Sequence, residues 1–232
     1  TSDQSSFFTM DDTWANSAEG TYNIIASIDL TDDENSDNDT LESIINVGDL
    51  TYQRDKLYGY ERINTDNFEQ NQYLVDINAN TGDYTVIAST GIDEIRTGDF
   101  VGTFPNLEYV VTVGNLLYVL NSDGTSYYYG EVDLALSQFK GFTWDASQDL
   151  FYATDGKILY EINRLFEATE IGNIVGSDLM LGLAADSQGD LYGIGSDDNL
   201  YQINKTTGAG SIVGSLGVDI ANRQDIAFDR QN

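Results

Sequence analysis

The chain has no cysteine and no histidine, and it contains a single proline, Pro105. Without cysteine it forms no disulfides and performs no thiolate chemistry. Without histidine it lacks the usual near-neutral proton shuttle, the histidine-dependent catalytic triads and the usual zinc ligands. These absences exclude many classes of hydrolase and zinc site, and they leave carboxylates as the main ionisable groups.

Basic residues are also scarce, because 10 Lys and Arg stand against 39 Asp and Glu and give a formal net charge of −29. A charge of this sign repels phosphate backbones and anionic headgroups, so nucleic acids and membrane surfaces are disfavoured as partners. No apolar run is long enough for a spanning helix, and we expect no membrane insertion. A solvated acidic surface explains the charge, and binding of a divalent cation such as Ca²⁺ is the alternative.

Linker-like segments are missing as well, since no stretch rich in proline or glycine divides the 232 residues. Hydrophobic residues make up 41% of the chain, which is ample for a packed core. We therefore predict one domain, 1–232. The sequence starts at Thr1 without a Met, a basic segment or an apolar signal region, so we expect it to be part of a larger chain.

Two segments in the C-terminal half repeat one pattern, Gly141–Gly176 and Gly182–Gly217. The second divides into GLAAD, DLYGIG, NLYQIN and GSIVGS, separated by turn residues. Alternation of apolar and polar residues, with many β-branched and aromatic ones, predicts four antiparallel strands. Asp49–Gly91 and Asp99–Leu134 follow the same template, so the repeat extends upstream.

The two ends of the chain complete a further unit. Gln224–Asp229 resembles a first strand with nothing after it, whereas Phe7–Met10, Tyr22–Leu30 and Leu41–Val47 resemble second, third and fourth strands. We therefore predict an all-β fold, a five-bladed β-propeller of four-stranded antiparallel blades, closed by one C-terminal strand pairing with three N-terminal strands. An open β-sandwich or β-solenoid is the alternative. The predicted spans are 225–232 with 1–47 (blade 1), 48–93 (blade 2), 97–136 (blade 3), 139–177 (blade 4) and 179–218 (blade 5).

The repeat resembles secreted bacterial propeller repeats of the type LYxIN-x-TTG…GxxG, here at Leu200–Gly217 and Tyr73–Gly91. As an indication of fold, the resemblance covers nearly the whole chain. It implies an extracellular or cell-surface location. It implies no single activity, because such repeats occur in lectins, adhesins, enzymes and scaffolds.

Three acidic residues stand at matching first-strand positions, Asp49, Asp99 and Asp225. Closure of the ring would bring their carboxylates to one side of the channel mouth, where they would raise one another's pKa. A bound Ca²⁺ would relieve the repulsion, and so would pairing with Arg96 and Arg223 on the adjoining loops. Alternatively, the three carboxylates cap loops or accept hydrogen bonds from backbone amides.

Two predicted loops between second and third strands are unusually long, Asp11–Gly20 and Glu61–Gln72. On adjacent blades they would form a raised lip whose candidate ligand-binding residues are Trp14, Asn67, Phe68 and Asn71. A tryptophan in a polar loop suits sugar stacking or a protein hot spot. Alternatively, Trp14 folds back over its own blade.

Most tyrosines fall at alternating strand positions, where they are expected to pack between blades. Trp144, within GFTWD, alternates as a core residue. The run Tyr127–Tyr129 lies on the predicted outer strand of blade 3, so at least one of its rings is expected at the surface.

The composition favours a non-catalytic extracellular recognition or adhesion module that binds carbohydrate or a surface protein, with calcium as a candidate support. One alternative is a structural or scaffold domain of a surface assembly. The other is a glycoside hydrolase-like enzyme that uses Asp49, Asp99 and Asp225, since such enzymes need two carboxyl groups at a defined separation. Short inter-blade loops and a narrow channel count against the enzyme.

Overall fold

A computed structural model describes residues 20–27, 40–47, 56–64, 70–103, 106–134, 138–220 and 225–228, and side chains from residue 56 onward except 62–64, 70 and 71. The chain divides into two compact units, Thr1–Leu50 and Thr51–Asn232. All secondary-structure elements of the described residues are β-strands. Within these ranges, no helix has the length and apolar character needed to cross a membrane.

The N-terminal unit contains one antiparallel pair, β1 (Gly20–Ser27) and β2 (Thr40–Val47), with Gly20 opposite Val47. This pair confirms the predicted strand at Leu41–Val47 and, as far as Ser27, the one at Tyr22–Leu30, whose last three residues lie outside the described ones. The strand predicted at Phe7–Met10 lies outside the described residues, and so does its pairing with the C-terminal segment.

In the second unit, four sheets correspond to predicted blades 2 to 5, and the strands of each are ordered as in the chain. Blade 2 contains β3 (Leu57–Asn64), β4 (Gln70–Ile77) and β5 (Tyr84–Ser89). Blade 3 contains β6 (Gly98–Thr103), β7 (Asn106–Val113), β8 (Leu116–Leu120) and β9 (Ser126–Glu131). Blade 4 contains β10 (Gly141–Asp145), β11 (Leu150–Thr154), β12 (Ile158–Ile162) and β13 (Ala168–Asn173). Blade 5 contains β14 (Met180–Ala185), β15 (Leu191–Gly195), β16 (Asn199–Ile203) and β17 (Gly210–Ser215).

As far as its residues are described, this unit is therefore an all-β propeller with four blades, not the five that the repeat count predicts. Blades 3, 4 and 5 have the predicted four strands, and blade 2 has three because its predicted inner strand lies outside the described residues. A fifth blade requires an inner strand from the C-terminal segment, and Asp225–Phe228 belongs to no sheet. The repeat pattern correctly locates the strands, but it does not ensure that they pair.

The segment Asp225–Phe228 nevertheless lies against blade 5 where a following inner strand would lie. A Cβ built on Gly141 of β10 would lie 2.6 Å from the backbone nitrogen of Leu183 in β14. A Cβ built on Gly182 of β14 would lie 3.1 Å from the Cα of Asp225. Asp225 is therefore about as close to the inner strand of blade 5 as the inner strand of blade 5 is to that of blade 4. The ring of Phe228 meets that of Tyr192 edge to face, with centroids 5.2 Å apart.

The predicted loop at Glu61–Gln72 is shorter than expected. β3 and β4 continue their ladder to the pair Asn64 and Gln70, so only residues 65–69 separate the two strands. Polar residues can continue a strand, because the ladder provides hydrogen-bond partners for their backbone N–H and C=O groups. The polar composition of this segment therefore placed the ends of the two strands too early. Asn71 consequently belongs to β4 and not to a loop.

The apolar core lies between successive blades. Three clusters join blade 2 to blade 3, blade 3 to blade 4 and blade 4 to blade 5, centred on Leu74, Phe142 and Tyr152 respectively. Trp144 is buried as predicted, with 6% of its surface exposed. The sheets are stabilised by burying their faces against one another, at about 25 cal/mol per Å² of apolar surface.

In each of blades 2 to 5, the third strand pairs with the fourth through a register shift that follows an equivalent leucine, namely Leu74, Leu117, Leu159 or Leu200. One residue of each outer strand is thereby left without a partner, as at a β-bulge. These residues are Ile87, Tyr129, Ile171 and Val213. The β1–β2 pair of the N-terminal unit has no such shift. The bulge is thus a constant part of these four blades.

Two of these leucines allow a matched stability prediction. Leu159 is completely buried, because blade 5 packs over it, whereas Leu200 in the last of the four blades is half-buried. Leu159→Ala is expected to lower the free energy of unfolding by about 3 kcal/mol, and Leu200→Ala by about 1 kcal/mol, since the exposed site loses less burial and leaves no closed cavity. Denaturant unfolding of both variants measures the difference, and equal losses would contradict it.

Candidate functional site

Of the predicted site residues, Asp99, Asp225 and Arg96 are fully described. Asn71 is described in its backbone only. The others lie outside the described residues, namely Trp14, Asp49, Asn67, Phe68 and Arg223. The predicted lip is therefore wrong at Asn71, which lies in β4, and untested at Trp14, Asn67 and Phe68.

The carboxyl group of Asp225 is enclosed at the inner end of the blades, although the residue as a whole keeps some exposed surface. It accepts hydrogen bonds from the Thr97 hydroxyl, from the Gly98 N–H and from the Ile226 N–H at 3.0 Å. Burial raises the pKa of Asp225 to about 8, and the nearby charge of Asp99 adds to this, while the three donors oppose it. The carboxyl group is therefore held largely protonated at neutral pH.

The carboxylate of Asp99 joins two neighbouring inner strands. Its Oδ2 accepts hydrogen bonds from the Thr143 hydroxyl at 2.6 Å and from the Trp144 N–H at 2.8 Å, and its Oδ1 accepts one from the Phe100 N–H at 2.7 Å. The Thr143 hydroxyl in turn accepts a bond from the Ala185 N–H at 2.9 Å. A line of side-chain acceptors therefore connects β6, β10 and β14.

This line corrects the predicted equivalence of Asp99 with Asp225. Asp99 accepts from β10 as Thr143 accepts from β14, so Asp99 is the counterpart of Thr143. The counterpart of Gly141 is then Thr97, two residues earlier, whose hydroxyl accepts from the Phe142 N–H at 3.1 Å. Blade 3 matches the repeat most loosely. The prediction aligned Asp99 with Gly141, which is two residues away from the correct alignment of Thr97 with Gly141.

The calcium site predicted at Asp49, Asp99 and Asp225 remains a prediction, because Asp49 lies outside the described residues. Among the side chains that are described, no group of three or more acidic residues could hold a metal ion. Asp99 and Asp225 each accept three hydrogen bonds from N–H and O–H donors, which fits carboxyl groups that join strands better than ligands of a cation. Arg96 forms an ion pair with Glu94.

A second polar cluster lies between blades 4 and 5. The side chain of Asp145 is completely buried and accepts bonds from Lys205 at 2.7 Å and from the backbone and hydroxyl of Ser147 at 2.8 and 2.6 Å. The Lys205 ammonium also lies 5.7 Å from the centroid of the Tyr152 ring. Burial raises the pKa of Asp145, but the bonds from Lys205 and Ser147 outweigh it and hold that pKa below its usual value.

A third cluster lies between blades 3 and 4, and sequence reasoning did not identify it. We call it the seam surface, and it comprises Glu108, Tyr127, Tyr129, Asp149, Arg164 and Leu165. Arg164 donates to Asp149 at 3.0 Å and to the Tyr129 hydroxyl at 3.3 Å, and its guanidinium lies 5.4 Å from the Phe151 ring centroid. Tyr127 donates to Glu108 at 3.0 Å. The bond from Arg164 to Tyr129 joins blade 4 to blade 3, and the pair of Tyr127 and Glu108 lies on blade 3.

Tyr129 turns into the seam surface because it is the residue left unpaired by the bulge of blade 3. Its neighbour Tyr127 is 46% exposed. Burial of part of the ring and the bond to Glu108 raise the pKa of Tyr127 to about 12, so its hydroxyl remains a hydrogen-bond donor throughout the physiological range. The expectation that Tyr127–Tyr129 places a ring at the surface is confirmed.

The loop of residues 163–167 in blade 4 departs from the repeat. In blades 2, 3 and 5 the residue with positive φ in this turn is a glycine: Gly82, Gly124 and Gly208. In blade 4 it is Phe166, with φ of 61°. A left-handed conformation costs a non-glycine residue about 1–2 kcal/mol, so contacts of the ring have to offset it.

The ring of Phe166 finds those contacts on blade 3. It lies edge to face with Tyr129, with centroids 5.3 Å apart, and covers Gly130, where any Cβ would clash with it. Its carbonyl accepts a bond from the Asp133 N–H at 2.9 Å. The turn is thereby fixed to blade 3, and Leu165 at its tip is left 77% exposed. The replacement of glycine by phenylalanine was the sequence signal that would have marked this site.

No family model and no curated protein matches the chain. A solved Bacteroides thetaiotaomicron protein of unknown function is 13% identical, with a TM-score of 0.50 and coverage of 85% of this chain and 51% of its own. A virginiamycin B lyase from Staphylococcus aureus is 16% identical, with a TM-score of 0.39 and coverage of 61% and 47%. A chain of a nidogen/laminin complex is 11% identical, with a TM-score of 0.47 and coverage of 85% and 79%.

The likeness to the Bacteroides protein supports the fold and says nothing about activity. The chain spans about half the length of the Bacteroides protein that it matches.

Proposed function

We propose that this propeller is a non-catalytic recognition module, extracellular or at the cell surface, that binds a partner protein through the seam surface. The observation that carries the proposal is the turn at residues 163–167, where strained Phe166 is fixed to blade 3 and holds Leu165 out to solvent. Residues with a strained backbone conformation persist only where surrounding contacts hold them, and they are found most often at functional sites. Arginine and tyrosine are also the residues that dominate protein-binding hot spots.

The arrangement favours a protein over a carbohydrate as the ligand. Tyr127 lies opposite Val119 and Tyr128 lies opposite Tyr118, so the two exposed rings project from opposite faces of β9. A sugar platform requires rings that a single ligand can reach together. An exposed leucine tip, next in the chain to an ordered arginine, instead suits the apolar and aromatic surface of a polypeptide.

The non-catalytic part of the proposal is supported by the roles of the channel carboxyl groups. Asp99 joins β6 to β10, and Asp225 holds the C-terminal segment against Thr97. Both groups serve contacts within the fold. The extracellular location rests on the resemblance of the repeat to secreted propeller repeats.

A displayed random-peptide library and a glycan array, with and without Ca²⁺, test the proposal. We expect peptides that bind the unmodified protein and lose about tenfold or more in affinity, a hot-spot effect, on Leu165→Ser. Ile212→Ser is the matched control, because Ile212 is 63% exposed on β17 outside the seam surface. Glycan binding that is independent of Leu165, with no Leu165-dependent peptide, would contradict the proposal. Self-association lost on Leu165→Ser would indicate a scaffold instead.

A further inference from the structure

We propose that the partner of the seam surface is a polypeptide segment that carries an apolar side chain flanked by lysine or arginine; this inference rests on the proposed function. The apolar side chain would contact Leu165, which is 77% exposed at the tip of the turn. The flanking cations would meet the acidic side chains around them. The charges and bonds of the described residues carry the argument.

Acidic residues surround the exposed tip of the turn on two sides. Glu167 follows it in the chain and is exposed, and Asp133, also exposed, is bridged to Glu167 through their backbones. On the other side, Glu108 accepts the bond from Tyr127, and Asp149 has 59% of its side chain exposed. The tip is therefore an apolar centre with a negatively charged rim.

The one cation of the seam surface is already neutralised. Arg164 is paired with Asp149 at 3.0 Å and lies over the rings of Trp144 and Phe151. It contributes an ordered, planar surface and a donor to Tyr129, and its charge is offset by its partner. An approaching cation consequently meets the net negative charge of Glu108, Asp133 and Glu167.

The whole chain reinforces this local charge. A formal net charge of −29 attracts cationic partners over a long range and repels acidic ones, which raises association rates and excludes wrong partners. A general attraction of this kind does not define a site. The seam surface adds a specific, leucine-dependent component to it, because the turn presents an ordered apolar tip within an acidic rim.

Three synthetic peptides of equal length test the inference by calorimetry or fluorescence anisotropy. The first has leucines flanked by lysines, the second has leucines flanked by glutamates, and the third has serines flanked by lysines. We expect the first to bind best, to weaken about tenfold on Leu165→Ser, and to weaken about threefold on Glu167→Gln. The third is expected to bind weakly and equally to all variants, and the second not to bind.

Glu170→Gln on β13 is the matched control, since Glu170 is exposed and lies outside the seam surface. Raising the salt concentration should weaken the first peptide towards the level set by its leucines alone. Equal binding of the first peptide to the unmodified protein and Leu165→Ser would overturn the inference. Leu165-dependent binding of the glutamate-flanked peptide would overturn the cationic partner and leave the recognition module standing. If neither these peptides nor the displayed library gives Leu165-dependent binding, both proposals fall.

Discussion

Asp225→Asn is expected to make the protein more stable than the unmodified chain above pH 8 and to leave it almost unchanged near pH 3, below both pKa values of the carboxyl group. The folded-state pKa of Asp225 is raised from 3.8 to about 8, so folding takes up a proton between these values. The free energy of unfolding therefore falls as pH rises through this window, by about 1.4 kcal/mol per unit at most, and becomes level above it. Asparagine resembles the protonated acid and carries no charge to desolvate.

The geometry supports this sign. At low pH the neutral carboxyl group keeps its bonds to Thr97, Gly98 and Ile226, and asparagine can accept from the same backbone donors while donating to the Thr97 hydroxyl. At high pH the unmodified chain must hold a buried anion next to Asp99. The gain for the variant is on the order of 3–5 kcal/mol, unless the C-terminal segment detaches first and limits it.

Denaturant unfolding at a series of pH values measures this difference. The titration of the other carboxylates cancels between the two chains, so the difference curve isolates Asp225. Asp178→Asn, at an exposed position, controls for the loss of one negative charge. A difference that stays constant between pH 5 and pH 9 would show that Asp225 does not titrate in that range.

Lys205→Met is expected to lower the free energy of unfolding by about 3 kcal/mol at neutral pH, because it leaves the carboxylate of Asp145 buried without a cation. Asp145 has no exposed side-chain surface, and Lys205 is its only basic partner among the described side chains. Lys56→Met is the matched control, since Lys56 forms a pair of 2.5 Å with Asp76 in which both side chains are partly exposed. That variant should lose about 1 kcal/mol or less.

A double variant separates loss of the pair from loss of packing. Lys205→Met with Asp145→Asn should recover most of the stability, because no buried charge then remains. The pKa of Asp145 is held below 3.8, so its contribution is present above that pH and is lost as pH falls through the folded-state value. In the variant, the buried carboxylate has lost its cation and takes up a proton more readily, so the deficit of Lys205→Met should shrink as pH falls towards 4. A deficit independent of pH and of Asp145 would point to packing of the lysine stem on Tyr152.

The strands of blades 3 to 5 were predictable because alternation, aromatic residues and turn glycines all agree there, as in GFTWD and NLYQIN. The blade count was not, since closure depends on whether Asp225–Phe228 pairs, and pairing is a property of the assembled sheets. The two-residue error at Asp99 has a related cause. Asp99 and Thr143 hold the same structural position with different side chains, and only their donors reveal it.

The seam surface escaped prediction because its residues come from separate stretches of the chain. Glu108, Tyr127, Asp149 and Arg164 belong to different strands and turns, and packing of blade 4 on blade 3 brings them together. Only Phe166 carried a local signal, as a bulky residue where the repeat has glycine. A bulky residue at a position where the other repeats have glycine is therefore the sequence feature that marks the seam surface.

The four register shifts also bear on how separate molecules meet in a concentrated solution. The outer strands β5, β9, β13 and β17 end their sheets, and a straight edge of this kind is a template for pairing with another chain. β17 carries no charged residue and exposes Ile212 and Val213, so its sequence alone would favour aggregation. The extra residue at Val213 interrupts that edge, and the excess of carboxylates repels a second copy. Each blade thus carries its own barrier to fibre formation, built into the same repeat that creates the edge.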